Sequence, residues 1–440
     1  MRAPIVAAAV LALTAAGLTI SQPAGAASTD WTQYHGSADR AGYARSMPVP
    51  TGRLRVIKRI RLDGAVYASP IVAAGLTIVA TEHNTVYAFN ARNHLVWRRH
   101  LGRPSPARQR PCGNIDPLGI TGTPLYRNGL VYVAAELSGR PPTHRLFGLR
   151  VGTGRVRVSR SLDRAGVARA AMQERGALAY AAGRVWVPFG GLAGDCGHYK
   201  GRLVGFALSG KGKPRVFTVP TAREAGIWTP PGPSVDRAGN LYVSVGNGAS
   251  GVGDRYDHSD SVLKINGRGH RIDSFSPTTW PTDNDHDLDL GSQGPALVGR
   301  WVFIAGKSGT AYVLRQSHLG GIGGQVRKRA LCRSFGGTAV RGSVVYVPCT
   351  DGVRAVRIGP HGGMHVLWHA RSSVTGSPVI GGRRLWTLDT GAGVLHALGL
   401  YHGISRGSVA VGAVSRFATP ALSGRRILIG TLTGLTVVRI

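Results

Sequence analysis

Hydrophobic positions along the chain come in short runs of four to seven residues, separated by glycine or polar turns. The stretch 65–97, "AVYASPIVAAGLTIVATEHNTVYAFNARNHLVW", shows the unit. It parses as strand, tight glycine turn, strand, polar turn, strand, turn and a last strand ending in Trp97. Such runs, rich in Val, Ile, Leu and Tyr and bounded by turn residues, predict β-strands. No long amphipathic segment of helical period stands out, so the chain reads as all-β.

The unit recurs. The glycine of its first turn stands at Gly75, Gly129, Gly183, Gly239, Gly299, Gly342, Gly382 and Gly424. Pairs such as Ser69-Pro70, Thr123-Pro124, Gly294-Pro295, Ser377-Pro378 and Thr419-Pro420 precede most of them, and an apolar strand follows each. Eight four-stranded units of this length predict an eight-bladed β-propeller of antiparallel blades. Seven blades follow if one unit is a decoration. The last unit stops after three strands at "GLTVVRI", and "RLRVIKRIRL" (53–62) precedes the first unit. Together these complete one blade and close the ring.

Strand parity sorts the loops. Connections between blades, and those between second and third strands, share one face. Nearly all long segments belong to that class: 101–118, 136–145, 160–174, 190–201, 246–260 and 276–290, on blades two to five. Long loops on one face of a rigid ring are where binding and catalysis are usually built. The same placement sets Cys332 opposite Cys349 and Cys112 near Cys196, predicting those two disulfides.

Ahead of the repeats, Arg2, an apolar run from Ile5 to Ile20 and small residues at 24–27 read as a secretory signal peptide. The expected organisation is a signal peptide over 1–27, an N-terminal extension over 28–52 and one propeller over 53–440. An exported, monomeric protein with two disulfides and no transmembrane segment is expected.

Charge adds a second theme. Lys and Arg number 54 against 21 Asp and Glu, a formal net charge of +33, and only seven of the cations are lysine. Such a field draws anionic polymers. The alternative is a diffusely basic secreted surface without a dedicated ligand, since no compact basic block with interleaved aromatics occurs.

Against this background "PTDNDHDLDL" places Asp283, Asp285, Asp287 and Asp289 at alternate positions. If extended, they share one edge about 6.6 Å apart. Three readings stand: a Ca²⁺ site, carboxylates paired with arginines, or an open solvated loop. A second acidic group, Asp254, Asp257 and Asp260, emerges on the same face. His198, His258 and His286 match no compact zinc spacing. Strand starts facing the channel offer Asp116, Gln173, Glu174, Arg175, Trp228 and Gln293 as ligand contacts. No Gly-x-Ser-x-Gly elbow, phosphate-binding loop or His-Glu-x-x-His helix is present, which removes support for hydrolase and nucleotide-binding readings.

The repeat resembles the pyrroloquinoline quinone (PQQ)-type propeller over the whole mature chain. That family includes quinoprotein alcohol dehydrogenases and non-enzymatic members such as the bacterial β-barrel assembly lipoprotein. Thr153-Gly154 in "GLRVGTGRVRV" preserves part of its blade ending. "SVGNGASGVGDRYDHSDSVLKI" is similar to the dehydrogenases' Gly-Asn-Gly and Gly-Asp-Asn stretches, which implies Asn247 as a calcium ligand and Asp254 as ligand and catalytic base. "GGLAGDCGHYKG" implies Asp195 as a calcium ligand, and "AGKSGTAYVL" implies Lys307 at the quinone. "PTDNDHD" is similar to a Gly-Asp-Asn-Trp-Asp segment, with Asp285-His286 where the family has tryptophan. The family's adjacent cysteine pair is absent, because Gly113 follows Cys112, and no Cys-x-x-Cys-His haem motif occurs.

Two functions follow. The first is a ligand-binding or scaffolding propeller that presents the upper loops of blades two to five to a protein or cell-envelope ligand. The alternative is a divergent Ca²⁺/PQQ-dependent alcohol-type oxidoreductase.

Overall fold

Strands of two to eight residues pair in eight antiparallel blades of four strands, three of which carry a short fifth strand, and each runs from an innermost to an outermost strand. The computed structural model describes Met1 and residues 30–371 and 376–440; the signal peptide expected over 1–27 lies, apart from Met1, outside the described residues. The first blade is Ile71–Ala73, Leu76–Ala80, Thr85–Phe89 and Leu95–His100. Its three inner strands are almost wholly buried, while the outermost hides only Trp97. The reason is radial packing. Inner strands are covered on both faces by neighbouring blades, so they read as continuous apolar runs, whereas the rim is covered less and stays polar.

Gly75 shows why the glycine marks recur. Its φ is +75° and the preceding Ala74 has φ 51°, the paired left-handed conformation of a tight hairpin. A Cβ there would meet nothing within 4 Å, so the demand is on the backbone rather than on space. The other seven marks also have positive φ.

Ring closure follows the expected scheme. Arg55–Arg61 pairs antiparallel with the C-terminal strand Gly434–Arg439, bringing Val56 opposite Val438 and Ile60 opposite Leu435. The cysteines pair as expected, Cys112 with Cys196 and Cys332 with Cys349. The first bridge spans 84 residues and the second 17. Loop-closure entropy then gives about 4–5 kcal/mol for Cys112–Cys196 and about 3 kcal/mol for Cys332–Cys349. Separate serine pairs at the two bridges should lose stability in that order in denaturant titrations; the reverse order would refute the entropic account.

The segment before the first repeat does more than its expectation as an extension suggested. Residues 31–42 run along the ends of the innermost strands, beside the glycine turns and opposite the long loops. Val72 exchanges backbone hydrogen bonds with Trp31, and the amides of Tyr126, Val235, Val340 and Ile380 donate to Thr32, Ala38, Ala41 and Gly42 at 2.6–2.8 Å. The Arg40 guanidinium reaches the carbonyls of Leu178 (2.9 Å) and Pro233 (3.1 Å), and His35 Nε2 lies 3.1 Å from Thr419 Oγ1. Seven of the eight blades are tied to this segment, which plugs the lower end of the channel.

The alternating aspartates are corrected by the fold. Trp280–Asp285 is a short helix rather than an extended strand. One helical turn takes the alternation apart: Asp283 and Asp289 are buried, and Asp285 and Asp287 face solvent. Local chain reversal overrode the period-two pattern.

Candidate functional site

Within the ring lies a cavity of about 510 Å³ lined by residues of the upper loops, among them Asp195, Asn247 and Asp287. Its floor and walls combine aromatic rings with charges of both signs. Trp228 is seated between two glycines: a Cβ on Gly190 would come within 2.6 Å of Trp228 Cβ, and one on Gly246 within 2.9 Å of its Nε1. Phe417 lies 6.2 Å from the Trp228 ring at a 58° tilt. The Arg416 guanidinium stacks 4.3 Å over Phe335 and 5.6 Å over Phe417, and Arg175 approaches Phe417 at 5.7 Å.

Beside the Trp228 ring, 6.0 Å from its centre, Lys307 Nζ sits between two carboxylates, 2.6 Å from Asp287 Oδ1 and 2.5 Å from Asp289 Oδ2. Burial alone would lower its pKa, but Asp289 and Asp287 outweigh that and hold it above the ordinary lysine value. Burial pushes Asp289 up to about 6, with Lys307 opposing and Asp287 and Asp195 adding to the rise. Asn247 Nδ2 donates to Asp287 Oδ1 at 2.8 Å. Asn247 Oδ1 and Asp289 Oδ1 are buried without a hydrogen-bond partner. Tyr199 donates to Asp195 Oδ1 at 2.5 Å, and burial, then Asp195, raises the phenol's pKa.

Of the residues singled out from sequence, Arg175, Asp195, Asn247, Trp228, Asp287, Asp289 and Lys307 line this cavity together. The others sit elsewhere. Asp254 is exposed and accepts from the Gly251 amide at 2.9 Å within its own loop. Asp283 is held by Thr279 Oγ1 at 2.7 Å, and Asp285 is exposed. Asp116 is exposed and accepts from the Ala107 amide. Gln173 is buried near Thr121, and Gln293 joins neighbouring blades by accepting from the Ala305 amide and donating to Ser334. Glu174 turns away to accept from the Gly122 amide.

Sequence reasoning missed Arg416, Phe417 and Phe335, which enter from short connections between later blades. Parity carries a signal that could have found Arg416 and Phe417, since an inter-blade connection just ahead of Thr419-Pro420 falls on the upper face. Loop length, used as the guide to function, passed over them.

The residues present fit a planar anion better than a calcium ion. Arg175, Arg416 and an aromatic floor suit the former, whereas the Lys307 ammonium is already paired with Asp287 and Asp289. The position a metal would take between Asp287 and Asp289 holds the Lys307 ammonium. Among the described residues no group of three or more His, Cys, Asp or Glu side chains is arranged to hold a metal ion.

Comparison with known proteins agrees with the ring. A family model described as outer membrane protein assembly factor BamB matches residues 40–230. No curated protein sequence matches the chain. Among solved structures, the quinohemoprotein alcohol dehydrogenase of Comamonas testosteroni superposes with a TM-score of 0.72 at 15% identity, covering 94% of this chain and 81% of that one. A europium-containing methanol dehydrogenase gives 0.69 at 12% identity, with 93% and 98% covered. BamB from Moraxella catarrhalis gives 0.59 at 16%, with 88% and 100% covered. Identities this low speak for the fold alone. Repeat, ring closure and structural neighbours agree on that fold: the chain is an eight-bladed β-propeller, similar in fold to the quinohemoprotein dehydrogenases and to BamB.

Proposed function

We propose that the chain is an exported binding propeller whose upper cavity takes a small, planar, multiply anionic molecule, with a PQQ-like quinone carboxylate as the probe of choice. One observation carries the reading. A cavity of about 510 Å³ presents Trp228 and Phe417 together with Arg175 and Arg416, while Lys307 is held by Asp287 and Asp289. Aromatic faces hold a planar ring, and guanidinium groups pair bidentately with carboxylates. The disulfide Cys112–Cys196 supports the loop that carries Asp195. Two disulfides suit an oxidising compartment, and among the described residues no helix is long and apolar enough to cross a membrane.

Titrating the purified mature chain with PQQ, with and without Ca²⁺, tests this through quenching of tryptophan fluorescence. Saturable binding that does not depend on Ca²⁺ is expected, weakened at least tenfold in Arg416→Gln and in Trp228→Ala. No saturable quenching would end the proposal and turn attention to protein partners of the upper loops.

A second reading, an alcohol-type oxidoreductase, draws support from Asp289. This buried carboxylate has a pKa of about 6 and faces the cavity, where it is placed to accept a proton near neutral pH. Asp254, outside the cavity, is not so placed. A bound quinone would supply a two-electron acceptor. Dye reduction with a panel of alcohols, lost in Asp289→Asn and kept in Asp254→Asn, would establish it.

A further inference from the structure

The outer rim carries a second cavity, of about 420 Å³, in the cleft between blades two and three. Arg145, Arg160 and Arg164 line it with Ser159, Ser161 and Phe206. Arg145 comes from the third strand of blade two, Thr143–Arg150, and Arg160 from its outermost strand, Val156–Ser161. Phe206 comes from Arg202–Ala207 of blade three. No carboxylate lines the cleft.

Two of the three guanidinium groups are fixed in place. Arg145 Nη1 donates to Ser159 Oγ at 2.8 Å. Arg160 Nη2 donates to the Gly212 carbonyl at 3.3 Å, and its guanidinium stacks 5.3 Å from the Phe206 ring. Arg164 is exposed and makes no hydrogen bond or ion pair among the described residues. Its chain neighbour Asp163 does not neutralise it, because that carboxylate accepts from the backbone and ring of His144. Three like charges thus converge on one cleft without a counter-charge. An anion with several acceptor oxygens relieves that repulsion and takes the forked donors.

The surroundings indicate how large the anion is. Outermost strands on this side of the ring are basic: Arg55, Lys58, Arg59 and Arg61 on the closing strand, Arg98 and Arg99 on blade one, and Arg157 on blade two, all exposed. Arg99 Nε bonds the Gly154 carbonyl, so the blade-one edge runs directly into blade two. Those strands carry no acid; the one acidic residue on any outermost strand is Asp273 of blade four. Alternate residues on a strand are about 6.6 Å apart, so the rim offers a row of cations along which a flexible linear polyanion can run.

We propose that the cleft formed by Arg145, Arg160 and Arg164 is an anchoring site for a phosphate group of a linear polyphosphate-type polymer, whose chain continues along the basic rim. This surface is separate from the upper cavity and does not depend on what binds there.

The test uses the mature chain and a short linear polyphosphate, with binding followed across a range of salt concentrations. Arg145→Gln/Arg164→Gln should weaken binding at least tenfold and lower the slope of log affinity against log salt by about two. The charge-matched pair Arg327→Gln/Lys328→Gln, on the exposed outermost strand of blade five, should change affinity less than twofold. Arg164→Gln alone, which breaks no contact, should weaken binding at least threefold at unchanged melting temperature. Equal weakening in the two double variants would reduce the effect to the overall field and overturn the site, as would no weakening in either. PQQ titration of the same variants should be unchanged, so the two binding readings fail or stand separately.

Discussion

Replacing Arg40 with leucine is expected to lower the unfolding free energy by about 3 kcal/mol. The guanidinium is buried and serves the carbonyls of Leu178 (2.9 Å), Pro233 (3.1 Å) and Tyr34 (3.2 Å) together with Gln33 Oε1 (3.2 Å). Each stranded buried acceptor costs about 1–3 kcal/mol, offset in part because a charge need no longer be buried. Burial lowers the Arg40 pKa only to about 10, so the group stays charged at neutral pH. The exposed Arg53→Leu serves as control, with an expected change within about 0.5 kcal/mol. A urea titration that finds the two variants alike would remove Arg40 as the keystone of the plug.

Acid should act at the same place. Burial, with the Arg40 charge adding to it, depresses the His35 pKa to about 3 from 6.5. Backbone hydrogen bonds to Arg40 and Thr338 oppose the shift. A depressed histidine contributes stability that is full above the unfolded value and lost as pH falls toward the folded one. At pH 4 the loss from His35 alone comes to about 3 kcal/mol. A His35→Gln variant should show a correspondingly flatter pH profile between 6.5 and 4.

The second large effect is expected at Lys307. Its ammonium lies between Asp287 and Asp289, and Asp289 is only 2% exposed. Lys307→Met leaves that carboxylate without its cation. Breaking a buried pair costs about 3–5 kcal/mol when the remaining charge persists. The cost depends on pH with a definite sign. The Asp289 pKa is raised to about 6, so its contribution is full below the unfolded value near 4 and is lost as pH rises through 6. Without Lys307, which holds it down, the loss extends to higher pH. The variant should therefore trail the native chain by about 3 kcal/mol at pH 8 and by less than about 1 kcal/mol at pH 5. A difference independent of pH would show that the pair is not coupled as its geometry requires. With the ammonium gone, Asp287, Asp289 and the unpartnered Asn247 Oδ1 stand open to a hard cation. Ca²⁺ should then raise the melting temperature of Lys307→Met and leave the native chain unchanged.

Legibility in the sequence followed the range of the interactions. Asp195, Asn247, Asp287 and Lys307 were found because each sits in a short stretch resembling the quinoprotein repeat, and they do meet in the cavity. Asp254 came from the same kind of resemblance yet lies outside it. Its loop turns back on itself through the bond from the Gly251 amide to the Asp254 carboxylate, a contact that spacing along the chain does not encode. Trp228 was read only as a strand start facing the channel; its role as cavity floor depends on Gly190 and Gly246 leaving room for the ring. Arg416 and Phe417 were missed because short connections carry no length signal, though they come as close to the channel axis as long ones.

By itself the sequence determined the repeating unit, the strand pattern and the closing of the last blade by a strand within residues 53–62, and it pointed to eight blades and to the two disulfide pairings that the fold bears out. All of these follow from local turn geometry and from burial on two faces, which write themselves into every unit of the chain. Only the tertiary structure decided that residues 31–42 plug the channel, that Lys307 stands where a metal would, and that three arginines converge at the rim. Those features arise from groups far apart in sequence that share one small volume. Their energies depend on distance and desolvation in three dimensions, which no pattern along the chain records.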